Sequence, residues 1–268
     1  MNRAFLTLAF ATLLAAAVPP LVTSSQSDPA AKYIVGREKS GYVYATAQTR
    51  AIQDDDFNNP GSLWVDKGKA LWTTADGATG KSCQSCHNAA ETTMKGVGAT
   101  YPKYVAGEKR VVDLEQRINQ ERVERMGAAP YKWESEQLLA LTTYVKLQSR
   151  GTPVNISSTG PARATWLAGK AFYEERRGQL DLSCEMCHGQ NNNKNLRTET
   201  LSQGQTNGFP TYRLSWQTLG SVQRRFRECN QQIRAEPLPY GSPEYVALEL
   251  YLGTRGNGLP VETPSVRK

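Results

Sequence analysis

Apolar positions recur at helical spacing in two stretches that mirror each other. Ser135 to Tyr144 (SEQLLALTTY) and Ser242 to Tyr251 (SPEYVALELY) carry apolar and polar residues in nearly the same order. That spacing predicts a helix in each. In the second, Ser242 stands at the N-cap and Pro243 at the first helical position, with Val246, Ala247, Leu250 and Tyr251 on the apolar face. Further upstream, Gly68-Lys69-Ala70-Leu71-Trp72 and Gly169-Lys170-Ala171-Phe172-Tyr173 open another matched pair of helices. Pro153-Val154 and Pro260-Val261 each follow nine residues after their tyrosine. The pattern marks a duplicated unit of about one hundred residues. Strand signals are sparse, so the expectation is a mainly α chain with two tandem domains, residues 64–155 and 156–268.

Two segments lie outside the repeat. Residues 1–25 read as an export signal: Arg3 supplies the positive charge, Ala4 to Val18 an apolar core, and Pro19-Pro20 end it. The apolar run is shorter than the roughly 20 residues a membrane span needs. A soluble mature protein in the periplasm is therefore expected, with no membrane span. Residues 26–63 form an irregular N-terminal arm with a polar, turn-rich stretch, Asp54-Asp55-Asp56-Phe57-Asn58-Asn59-Pro60-Gly61. The arm either packs across the domains or a partner, or is a solvated linker. Gln190 to Asn195 (QNNNKN) reads as a surface loop.

The chain has 268 residues, 39% of them hydrophobic, and a formal charge of +7. The basic residues are scattered apart from one cluster. Without a basic stripe or an aromatic platform no nucleic-acid role is expected; anionic substrates or acidic partners fit better.

Five cysteines and two histidines change the picture. Cys83-Gln84-Ser85-Cys86-His87 and Cys184-Glu185-Met186-Cys187-His188 both match the attachment motif of c-type haem. Two thiols about one helical turn apart can add to the two vinyl groups of one porphyrin, and the adjacent imidazole then binds the iron. Each motif begins fifteen residues after the glycine of its Gly-Lys-Ala-aromatic helix. A thioredoxin-like site would need a βαβ pattern, and a four-cysteine zinc site would leave both histidines unexplained. The expectation is two haem c groups in two cytochrome c-like domains. Their thioethers use Cys83, Cys86, Cys184 and Cys187, and their proximal ligands are His87 and His188.

Both histidines are then used, so the distal ligands must be Met, Cys, Lys, a carboxylate or water. Cys229 is left over, in Arg224-Arg225-Phe226-Arg227-Glu228-Cys229. Positive charge nearby favours a thiolate, which is both nucleophile and iron ligand. The arginines could also orient a small oxyanion. Arg225 lies one helical turn before Cys229, so both can face one pocket. Aligning Arg225 with Arg117 places Cys229 opposite Glu121, so the two haems should differ in ligation. Met126 and Met94 are further distal candidates in the first domain.

From these blocks the chain resembles SoxA, the cytochrome subunit of the periplasmic thiosulfate-oxidising Sox system. The matching residues are Asp54 to Phe57 with Pro60-Gly61-Ser62-Leu63-Trp64-Val65-Asp66, both haem motifs, Leu114 to Asn119, and the long block Trp216 to Asn230. The resemblance implies an L-cysteine S-thiosulfotransferase that pairs with a SoxX-type small cytochrome c. It would join thiosulfate oxidatively to a cysteine of the carrier SoxYZ. It also implies that Cys229 is the distal ligand of the second haem and the active-site cysteine, carried as a persulfide, and that Arg225 contacts substrate. Two-haem members have a second cysteine ligand where this chain has Glu121, and some relatives lack the first haem. The residues themselves leave open a non-catalytic dihaem electron carrier, a dihaem peroxidase, which the lack of spare histidines disfavours, and a tetrathionate-forming thiosulfate dehydrogenase.

Overall fold

The computed structural model describes residues 28–268; the export signal expected at residues 1–25 lies outside them. The helices are α1 (Ala47–Asp54), α2 (Ser62–Thr73), α3 (Cys83–His87), α4 (Ala90–Thr93), α5 (Leu114–Glu121), α6 (Glu136–Leu147), α7 (Arg163–Glu174), α8 (Val222–Gln232) and α9 (Pro243–Arg255). Among the described residues no helix is long and apolar enough to cross a membrane.

Helix starts follow local chemistry. Ser135, Ser221 and Ser242 each accept a backbone N–H from the first turn of α6, α8 and α9, and Pro243 opens α9. Asp113 and Gln116 form a reciprocal capping box at α5.

Each unit is built on one helix pair, α2 against α6 and α7 against α9. The repeated glycines explain the pairing. A Cβ on Gly68 would lie 2.2 Å from the Ala140 carbonyl oxygen and 2.6 Å from the Tyr144 Cβ. A Cβ on Gly169 would lie 1.9 Å from the Ala247 oxygen and 2.9 Å from the Tyr251 Cβ. Only glycine permits so close a crossing, and its partners stand at matching positions of the two last helices. Around the first pair Trp72, Val112, Leu114, Leu141 and Val145 are buried, and around the second Tyr173, Val222, Phe226, Leu248 and Leu252.

The middle helices differ in one respect. Between the N-cap and the left-handed residue that ends the element, α5 has one residue more than α8 (Asp113 to Gly127 against Ser221 to Arg234). The extra residue is taken up by a π-turn, Arg122–Met126, directly after α5. The second haem motif enters a similar π-turn, Met186–Gln190.

The sheet content is small, as the sparse strand signals implied. Three residues, Thr211–Arg213, pair antiparallel with Thr218–Gly220 and parallel with Ser265–Arg267 near the C-terminus.

The N-terminal arm is neither wholly irregular nor a solvated linker. It contains α1, and Tyr42, Ser40 and Asn59 are at most 2% exposed. Its anchor is Glu262, whose buried carboxylate accepts hydrogen bonds from Ser40, Gln53 (2.9 Å) and Asn207 (3.0 Å) and pairs with Arg267 (2.6 Å). A buried carboxylate is tolerated only when partners surround it. This one ties the arm to the C-terminal strand. Gln190 to Asn195 lies at the surface and leads into a two-residue hairpin, Asn195–Leu196 with Glu199–Thr200.

Candidate haem and active site

The first haem motif opens α3 beneath a cavity of about 240 Å³. Cys83, Cys86 and His87 line one side; Leu114, Ile118 and Leu141 supply apolar walls. Burial pushes the Cys83 thiol up. His87 Nε2 meets Glu121 Oε2 at 2.8 Å, and Arg117 Nη2 holds the other oxygen of Glu121 at 2.7 Å. The hydrogen bond to Glu121 raises the His87 value and lowers that of Glu121. Met94 and Met126 also line this cavity.

In the second motif, His188 Nδ1 lies 2.8 Å from the Ser202 carbonyl oxygen. A carbonyl only accepts, so Nδ1 carries the proton and Nε2 keeps its lone pair, the tautomer that binds a metal. Gly204, with φ +76°, lets the chain pass the ring; a Cβ there would lie 3.0 Å from His188 Cγ.

Cys229 sits half-buried on α8. Burial pushes Cys184 up to about 11, and the next cause is negative charge on Cys229. Cys187 is raised by the same two causes. Charge on Cys229 is also the leading influence that raises Arg225, ahead of Glu228. Burial lowers His188, and Arg225 adds to this. Cys184 packs against Phe226 of α8, the helix on which Arg225 and Cys229 stand one turn apart, so these influences act from α8 onto the second motif.

The three arginines of the cluster diverge. Arg224 stacks over Trp216, with its Cζ 4.3 Å from the ring centroid. Arg227 donates to the Leu238 carbonyl and lies 4.7 Å from the Tyr240 centroid. The expected three-arginine pocket is thus corrected to one: consecutive helical residues point about 100° apart, and only Arg225 shares the side of Cys229. Its guanidinium pairs with Glu228 at 2.6 Å, and Trp216 Nε1 donates to the same carboxylate at 3.3 Å. A second guanidinium comes from Arg213, paired with Glu199 at 3.1 Å. Burial lowers Arg213, and the next cause is the charge of Arg225. Arg213, Glu199, Glu228 and Ser202 were missed in the sequence. Of these only Glu228, beside Cys229 in the cluster, offered a local signal.

Comparison with known proteins gives the family. The model of the SoxA/TsdA cytochrome c domain matches residues 67–154 and 168–261. The L-cysteine S-thiosulfotransferase subunit SoxA of Pseudaminobacter salicylatoxidans is 48% identical over 230 residues, covering 85% of this chain and 80% of that protein. The chain belongs to the SoxA family. The subunit SoxA of Rhodovulum sulfidophilum is 45% identical, with 85% and 80% of the two chains covered. The crystal structure of SoxXA from P. pantotrophus superposes with a TM-score of 0.84 at 41% identity, covering 86% of this chain and 87% of that one.

SoxA domains of this kind are cytochrome c domains, and haem c is the group they imply. The residues present fit it. The first motif offers two thiols and an imidazole at the edge of an apolar cavity. The second offers an imidazole in the ligating tautomer, with Cys184 packed against the core of Tyr173, Phe226 and Leu252.

Proposed function

We propose that this chain is the SoxA subunit of a periplasmic L-cysteine S-thiosulfotransferase and carries two haem c groups, one at each motif. Cys83, Cys86, Cys184 and Cys187 form the thioethers, His87 and His188 are axial ligands, and Cys229 is both a distal ligand and the reacting residue. The observation that carries this reading is the packing of Cys184 of the second motif against Phe226 of α8, the helix on which Arg225 and Cys229 stand one turn apart. A SoxX-type cytochrome c is the partner, as the 0.84 superposition on SoxXA supports. SoxYZ is the carrier and thiosulfate the substrate.

A carrier thiol and thiosulfate give a cysteine S-thiosulfonate, one proton and two electrons. Haem c, when bound, accepts one electron at a time, so the second electron would pass to another haem, that of the SoxX-type partner. Arg225 binds the dianion beside Cys229. Glu228 occupies one edge of its guanidinium and leaves the remaining N–H groups for oxyanion contacts. Cys229, carried as a persulfide, forms the new S–S bond to the outer sulfur of thiosulfate as two electrons leave. The carrier thiolate then attacks that sulfur, and the Cys229 persulfide departs, as in thiol–disulfide exchange.

The test is mass spectrometry of the carrier after incubation with thiosulfate and an electron acceptor. Cys229→Ala should keep both haems and lose the thiosulfonate adduct. An undiminished adduct would end the proposal, and tetrathionate formed without carrier would point instead to a thiosulfate dehydrogenase.

A further inference from the structure

We propose that the Glu121 carboxylate is the sixth ligand of the iron bound by His87. Nε2 is the imidazole atom that ligates haem iron in a c-type site, since the ring hangs from the chain on its other side. In this structure that atom is aimed at Glu121 Oε2, 2.8 Å away, inside the cavity beside Cys83 and Cys86. A carboxylate in a largely apolar pocket needs a reason to stay charged. Arg117 supplies it by gripping Oε1 at 2.7 Å, and Arg117 is itself held by Gln120 at 3.1 Å. One oxygen is thereby fixed, and the other is turned toward the imidazole. Seating a metal between the two would part them along the same line.

The duplication supports this assignment independently. Arg117 and Arg225 occupy matching positions on α5 and α8, and four residues later stand Glu121 and Cys229. The same helical position faces the histidine of its own motif in the first unit and, in the second, stands on the helix against which Cys184 of the other motif packs. Met126 is the last residue of the π-turn, and its backbone carbonyl accepts the Thr79 N–H at 3.1 Å. Met94 ends the four-residue helix α4 and lines the same cavity.

A carboxylate is a hard, weak-field oxygen donor that favours the ferric over the ferrous ion. The first iron should be high-spin and low in potential, and spectroscopically unlike the thiolate-bound second one.

This inference rests on haem being attached at Cys83 and Cys86, so the mass of that peptide is measured first. The ferric full chain is then studied by low-temperature EPR, visible absorption and redox titration. Wild type should show one high-spin component. Glu121→Cys should convert it to a second low-spin thiolate signal. Glu121→Met should convert it to a low-spin form with the far-red absorption of thioether ligation and a raised potential. Glu121→Ala should alter the component without loss of haem. An unchanged first-haem spectrum in Glu121→Ala would overturn the assignment, as would a wild-type thioether band lost in Met126→Leu or Met94→Leu. A first motif without haem would overturn it together with the two-haem reading, whereas the ligand outcomes leave that reading intact.

Discussion

Gly169 on α7 crosses α9 so closely that a Cβ would lie 1.9 Å from the carbonyl oxygen of Ala247. The obstacle is backbone, which cannot swing aside as a side chain can. Gly169→Ala must therefore push the two helices apart. Overpacking of this kind costs about 1–3 kcal/mol and sometimes more. For a chain of this size that lowers the melting temperature by roughly 2–12 °C. Gly68→Ala, facing Ala140 at 2.2 Å, should act on the first unit in the same way. An unchanged thermal melt of either variant would contradict the crossing.

Arg225→Ala should raise KM for thiosulfate while both haems remain. A charge-assisted hydrogen bond contributes about 1.5–3 kcal/mol, so the rise should be roughly tenfold to hundredfold. Arg224→Ala should leave KM nearly unchanged, because that guanidinium stacks on Trp216. Steady-state kinetics on the two variants separates them; equal losses would restore the wider arginine pocket.

Where the two units meet, a polar cluster gives stability a pH dependence. Gln223 joins Asp113 (2.9 Å) to Glu249 (3.4 Å), with Glu115 and Lys146 nearby. Burial is the leading cause that raises Asp113, Glu115 and Glu249, and negative neighbours add to it for each. A carboxyl group raised in the folded state contributes stability that is complete below its unfolded value, about 4.3 for Glu. That contribution is lost as pH rises through the folded value. Glu249→Gln should keep the contact with Gln223 and lose less stability than wild type as pH rises from about 4.3 toward neutrality. Denaturant midpoints across that range check it, and parallel curves for the two proteins would contradict it.

Ser221 caps α8, the helix that carries Arg225 and Cys229, by accepting the Arg224 N–H at 3.1 Å. Ser221→Ala should cost about 1 kcal/mol. The check is urea denaturation of the full chain; no loss would show that Glu134, which accepts the Ser221 N–H at 3.3 Å, holds the helix end alone.

Much of this was legible in the chain because its signals are local or repeated. The two CxxCH motifs, the Gly-Lys-Ala helices and the Ser242-Pro243 start each depend on neighbours within a few residues. The duplication then located Glu121 opposite Cys229 by alignment alone. What stayed hidden depends on distant partners. The burial of the arm hinges on Glu262, more than two hundred residues from Ser40. The arginine cluster read as one pocket because a string of letters does not show that Trp216 and Tyr240 draw two of the three away. Arg213 joins the site from a strand whose partner, Ser265–Arg267, lies at the other end of the domain.

The most direct measurement is low-temperature EPR of the ferric protein beside its Cys229→Ser variant. A low-spin thiolate signal in the native chain that disappears from the variant, with haem still attached at Cys184 and Cys187, is the expected result. The same signal in both proteins would mean that this sulfur never meets the second iron.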